Sequence, residues 1–252
     1  MITRRIIPCL LLSGKKLVKT VQFKSPKYIG DPINAVKIFN DKEVDELMIL
    51  DIEASLTGAA PQFEYLKEVV SEAFIPLSYG GGIRNLQHID QLLQMGIEKV
   101  CLNSINATSF ELIAAGAKKY GSQSILGIID LKKNIFGKYG VYFKNKTFTT
   151  KLSIKDYALA LQDVGAGEIL INFVDTDGTY KGFDLNTLEE IVQLVRIPVV
   201  VVGGAGNLGH LKNAFDRGAS AVSAGSLFVY HGPHKAVLIN YPTREQIEKI
   251  IF

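Results

Sequence analysis

The sequence lacks long apolar runs, histidine clusters and more than two cysteines, and each absence excludes something. The longest hydrophobic stretches are strand length, short of the ~20 residues a membrane helix needs, so no membrane-spanning role is expected. Four histidines without ligand spacing give no metal site, and no Ser/His/Asp or cysteine-centred motif is present. Cys9 and Cys101 both sit in apolar runs and read as buried free thiols of a reducing compartment. A net charge of +3 is too small to argue for nucleic acid. The start, Met1-Ile2-Thr3-Arg4-Arg5-Ile6-Ile7-Pro8, lacks a long apolar region and reads as a first strand rather than a signal peptide, which implies a cytoplasmic protein. The absence of tryptophan excludes nothing.

What is there is a repeat. The segment Ile75-Pro76-Leu77-Ser78-Tyr79-Gly80-Gly81-Gly82 aligns without a gap on Ile197-Pro198-Val199-Val200-Val201-Val202-Gly203-Gly204, 122 positions later. The same offset places Glu46 on Glu168, Gly96 on Gly218 and Ser104 on Ser226. Apolar β-branched runs near 5–11, 46–51, 75–79, 98–103, 124–130, 168–173, 198–202 and 221–224 alternate with amphipathic helical patterns. Strands apolar on both faces belong to a parallel sheet covered by helices. Eight such units predict a (β/α)8 TIM barrel spanning residues 1–252 as a single domain, made of two half-barrels, about 1–122 and 123–252. Residues 134–150 break the rhythm and read as a hairpin insertion after the fifth strand. Lys15, Lys16, Lys19, Lys24 and Lys27 crowd one early segment, which reads either as a solvated loop or as a mobile loop closing on an anion.

In such barrels chemistry sits at the C-terminal strand ends. Glycine turns there can hold phosphate through backbone N–H groups. Gly80, Gly81 and Gly82 with Asn103 and Ser104 form one candidate cradle; Gly203 and Gly204 with Ala224, Gly225 and Ser226 form a second. The plain alternative is that these glycines only make tight turns. Two cradles would suit an elongated ligand with a phosphate at each end. Asp130, ending the fifth strand, is the leading acid/base candidate; Asp177, Gly178 and Thr179 follow the sixth strand and read as substrate-orienting. Asp51 and Asp175 are further carboxylates at strand ends. At the opposite end, Arg5, Glu46, Lys99 and Glu168 stand at strand starts, either facing solvent or pointing inward as a ring of ion pairs.

Several segments together resemble the cyclase subunit of imidazole glycerol phosphate synthase: Arg5-Ile6-Ile7-Pro8-Cys9-Leu10, Gly30-Asp31-Pro32, Asp45-Glu46-Leu47, Gly80-Gly81-Gly82-Ile83-Arg84, Gly165-Ala166-Gly167-Glu168 and Asp177-Gly178-Thr179. The resemblance implies a barrel that takes ammonia from a class I glutaminase partner in a heterodimer and delivers it to a phosphorylated ligand, with no cofactor. It implies that Arg5, Glu46, Lys99 and Glu168 gate the ammonia entrance of a polar pore through the barrel, that Asp130 is one of two catalytic aspartates and that Lys19 is the lysine of a mobile first loop. Leu11 stands where the family's other catalytic aspartate belongs, and Val202 replaces a small polar residue. Losing one acid/base group removes about 10²–10⁴-fold in rate. Leu11 and Lys19-Thr20-Val21-Gln22-Phe23-Lys24 resemble a divergent branch associated with surface-polysaccharide synthesis, in which a sugar amidotransferase joins the glutaminase and an N-acetyl sugar becomes its acetamidino form. A working histidine-pathway cyclase and a non-catalytic ammonia conduit stay open as alternatives. The gate residues argue against a sugar-phosphate isomerase, which needs no ammonia entrance.

Overall fold

The structure, a computed structural model, describes residues 4–144 and 150–251. The first half runs β1 (Arg5–Ser13), β2 (Lys16–Val21), β3 (Lys24–Gly30), α1 (Pro32–Asp41), β4 (Leu47–Asp51), α2 (Ala54–Thr57), α3 (Phe63–Ser71), β5 (Leu77–Gly80), α4 (Leu86–Gln94), β6 (Lys99–Leu102) and α5 (Glu111–Tyr120). The second half runs β7 (Ile125–Lys133), β8 (Tyr139–Val141), α6 (Ile154–Asp163), β9 (Glu168–Phe173), α7 (Leu185–Leu194), β10 (Val199–Val202), α8 (Leu208–Asp216), β11 (Ala221–Ala224), α9 (Ser226–Val229), β12 (Tyr230–His231), β13 (Ala236–Val237) and α10 (Arg244–Ile251). Strands β1, β4, β5, β6, β7, β9, β10 and β11 pair in parallel in that order, and β11 returns to β1 with Arg5 opposite Ala221. This is a closed eight-stranded (β/α)8 TIM barrel. Among the described residues no helix is long and apolar enough to cross a membrane.

Side chains alternate across each strand, so the buried residues form two clusters. Ile6, Leu10, Leu12, Leu47, Ile49, Ile129 and Ile171 point outward under the helices. Ile7, Cys9, Met48, Cys101, Leu126, Ile128, Leu170, Val200 and Ala221 fill the barrel interior. Both thiols are free and buried, and burial pushes Cys9 up to about 12, which leaves it an inert packing group. The helices that follow the two glycine turns start alike. Asn85 accepts from His88 N at 2.9 Å and Asn207 from His210 N at 3.0 Å.

Two segments differ from expectation. The lysine-rich stretch is no loop: β1 runs past the barrel rim and folds back on β2, with Leu11 opposite Val18, and β2 pairs with β3. Apolar and β-branched Leu17, Val18 and Thr20, all buried, favour that hairpin. Lys15, Lys16, Lys24 and Lys27 are exposed on it, whereas Lys19 is 5% exposed. The hairpin expected over 134–150 begins earlier, because Leu131–Lys133 of β7 itself pairs antiparallel with β8. Its turn is held by the Asn134 side chain, which accepts from Phe136 N at 2.9 Å and Lys138 N at 3.1 Å. Residues 145–149 of that prediction lie outside the described residues.

Asn85→Ala and Asn207→Ala each remove a cap, and each should cost about 1 kcal/mol of stability in urea denaturation.

Candidate active site

A cavity of about 570 Å³ opens at the C-terminal strand ends. Leu11, Leu50, Gly80, Asn103, Asp130 and Asn172 close the ends of β1, β4, β5, β6, β7 and β9 around it. All six lie on the inward parity of their strands. Gly81, Gly82 and Ser104 complete one wall, so the first predicted cradle lines the cavity in full. Glycine is required there by close approach: a Cβ on Gly82, whose φ is +70°, would stand 2.7 Å from the Ala59 carbonyl oxygen.

Asp130 is a buried carboxyl of this cavity, held by two amides. Asn103 Nδ2 donates to its Oδ2 at 2.7 Å, and Asn172 Nδ2 donates to its Oδ1 at 3.0 Å. Burial pushes the carboxyl from 3.8 to about 7, while the two amide bonds and the Lys144 charge oppose the rise. A carboxyl poised near neutrality both takes and gives a proton at working pH. Leu11 and Leu50 face the same space with hydrocarbon, so at the end of β1 no carboxylate complements Asp130. Asp51 lines the cavity but is spent on its own turn, accepting from Glu53 N at 2.9 Å and Ala54 N at 3.0 Å. Asp175 accepts from Lys133 N at 2.7 Å and holds the hairpin base.

The remaining predicted residues gather elsewhere. Lys19 Nζ donates to Asp177 at 3.1 and 3.2 Å and to the Thr20 carbonyl at 2.7 Å. Thr179 Oγ1 donates to the Thr176 carbonyl at 2.7 Å, and Gly178 packs under Thr20. Of Gly203, Gly204, Ala224, Gly225 and Ser226, Gly225 lines a niche of about 30 Å³ beside Lys19, and the other four are buried. Asn172 and Lys144 are among the cavity residues that the sequence reading did not single out. Asn172 was legible in principle, as the polar residue closing the apolar run Ile169–Phe173. Lys144 was not, because only pairing of the β8 arm carries it to the mouth.

At the other end Arg5 bonds to both Glu46 and Glu168, and Lys99 Nζ reaches Glu46 at 2.8 Å and Glu168 at 3.1 Å. The four charges form a closed, alternating ring. The carboxylates are 4% and 7% exposed and the cations 19% and 20%, so the ring faces inward with its cations at the entrance. Behind it the axis is filled by Ile7, Met48, Leu126, Leu170 and Val200, not by a polar pore. Among the described residues no group of three or more His, Cys, Asp or Glu side chains is placed to hold a metal ion.

Residues 5–235 match the family of histidine biosynthesis proteins. The chain belongs to that family. A Pseudomonas aeruginosa relative, provisionally named imidazole glycerol phosphate synthase subunit hisF2, is 49% identical over 249 residues, 98% of this chain and 99% of its own. A Leptospira interrogans protein, provisionally named subunit HisF of the same synthase, is 45% identical over the full length of both. The HisF subunit of Alkaliphilus metalliredigens is 39% identical over 232 residues, 92% of each chain.

The raised carboxyl makes stability depend on pH. A folded-state pKa above the unfolded one stabilises the fold below about 4, and that contribution is lost as pH rises to about 7. Asp130→Asn removes this loss. Its stability relative to the parent should therefore climb by about 1 kcal/mol per pH unit across that window in urea titrations. A flat difference would show that Asp130 titrates as an ordinary carboxylate.

Proposed function

We propose that this chain is the ammonia-accepting, cyclase-type barrel subunit of a glutamine-dependent pair of the imidazole glycerol phosphate synthase kind. One observation carries the reading: the barrel that holds Asp130 poised near neutrality at its mouth closes its other end with a ring of four interlocked charges. As a stability device such a ring is a poor investment, since desolvation offsets much of the attraction. As a gate it has a use. Lys99 is the flexible member, held by two contacts that a rotation of its stem would release. The apolar interior behind it then favours neutral ammonia, because carrying an ammonium ion through hydrocarbon costs its hydration. The partner is a class I glutaminase docked on the strand-start face. A cytoplasmic setting belongs to the same reading, since Cys9 and Cys101 are free thiols.

Within this reading we assign the chain to sugar amidation, with a sugar amidotransferase as the ammonia acceptor's enzyme, rather than to histidine synthesis. Leu11 favours this: at the end of β1 it cannot exchange a proton, so a cyclisation needing two acid/base groups is short of one. The hydrogen-bonded geometry of Asp130 with Asn103 and Asn172 favours the alternative, a working cyclase that relies on Asp130 alone.

Two measurements test these statements. The protein should co-purify with its glutaminase and raise glutamine hydrolysis several-fold; no association and no stimulation would remove the ammonia-accepting role. In a histidine auxotroph lacking the cyclase, the parent chain should fail to restore growth, and Leu11→Asp should improve it. Full rescue by the parent would return the chain to histidine synthesis.

A further inference from the structure

Charge is divided unevenly over this molecule. The segments 14–30 and 131–144, which carry the β2–β3 and β7–β8 hairpins, hold nine lysines and no arginine, aspartate or glutamate. The rest of the chain holds 19 basic residues against all 25 acidic ones. The net charge of +3 is thus the small difference between +9 on two hairpins and −6 elsewhere. We propose that these hairpins seat the mouth face of the barrel on an anionic lipid bilayer, with Ile135 and Phe136 as the inserted tip. The proposal goes beyond the function proposed above and does not rest on it.

The two hairpins form one platform. Both leave C-terminal strand ends, β1 turning back into β2 and β7 into β8. Phe23, at the first tip, packs on Tyr142 of the second arm with ring centroids 6.4 Å apart. Both are tied to one loop after β9: Gln22 N donates to the Asp177 carbonyl at 2.9 Å, and Lys133 N to Asp175 Oδ2 at 2.7 Å. At the second tip Ile135 and Phe136 are 92% and 80% exposed. The turn that presents them is fixed by the Asn134 side chain and by Gly137, whose φ is +76°. Tyr28 stands exposed on the first hairpin. None of Tyr28, Ile135 and Phe136 lines the 570 Å³ cavity, so the substrate site does not account for them.

The chemistry of the platform favours a bilayer over an acidic protein. Among the described residues only Lys19 and Lys133 of the nine lysines reach a carboxylate, on Asp177 and Asp184. Lys15, Lys16, Lys24, Lys27 and Lys138 are exposed around the tips. All nine cations are lysine, a hydrated point charge suited to a diffuse negative surface, whereas protein interfaces enrich arginine and deplete lysine. The apolar residues protrude as a tip instead of lining a groove, and a fluid bilayer receives a lone tip without a matched pocket. Lysines beside an anionic leaflet and an inserted apolar tip are two signals that anchor together where one alone is marginal. Such a contact is peripheral and needs no spanning helix. It leaves the charge ring at the opposite end of the barrel facing away from the lipid.

The test uses the full-length protein and vesicles of phosphatidylglycerol with phosphatidylcholine, against vesicles of phosphatidylcholine alone. Sedimentation should show binding to the anionic vesicles only, released by raised salt. The chain has no tryptophan, so Phe136→Trp places a single fluorophore at the tip, and its emission should shift to the blue on binding. Ile135→Ser combined with Phe136→Ser should weaken binding about tenfold, and Lys24→Gln combined with Lys27→Gln should weaken it too. No binding to anionic vesicles would overturn the proposal and leave an acidic protein as the occupant of this face. Equal binding to neutral vesicles would also overturn it, as would an unshifted emission or undiminished binding by the double serine variant.

Discussion

The constraint on which everything else depends is the two-residue alternation of eight strands closed into a ring. Closure leaves no edge and only two directions for a side chain, toward the helices or toward the axis. Arg5, Ile7, Cys9 and Leu11 share the axial parity of β1; Leu126, Ile128 and Asp130 share that of β7; Glu168, Leu170 and Asn172 share that of β9. Each axial file begins with a polar or apolar residue at the strand start, passes through hydrocarbon, and ends at the mouth. A charged ring, an apolar plug and a polar cavity are thus three layers of one pattern. A slip of one residue in any strand would send its whole file to the wrong face.

The layers divide the chemistry between them. Hydrocarbon around the axis raises the cost of charge, and Asp130 registers that cost as a carboxyl titrating near neutrality. At the entrance the same cost is met by pairing: two carboxylates and two cations neutralise one another, and removing one member would strand charge at a cost of about 3–5 kcal/mol. In the middle layer Met48, Leu126 and Leu170 are wholly buried, so an unpaired charge there would lose its hydration without replacement.

The mouth also shows how a repeated sequence yields unequal halves. Asn85 and Asn207 cap their helices in the same way, and Gly81 and Gly203 each press against the backbone of the preceding strand–helix turn. Both halves extend a barrel strand into a hairpin, β1 with β2 and β7 with β8, but it is β2–β3 that leans across to the β9 end and ties Lys19 to Asp177, 158 positions away in sequence. An apolar residue at position 11 fits this arrangement, because it lines the covered side and does not compete for the lysine.

By itself the sequence determined the barrel, the strand and helix positions, the place of the four ring residues at strand starts and the place of Asp130 at a strand end. Those follow from periodicity and glycine punctuation, which are local and written along the chain. Tertiary structure alone decided that the lysine-rich stretch is a hairpin, that Lys144 and Asn172 join Asp130, that the glycines of only one half face the cavity, and that hydrocarbon rather than a polar pore lies behind the ring. Each of these depends on which distant side chains meet and on how much room they leave, and neither meeting nor volume has a period that a linear reading can detect.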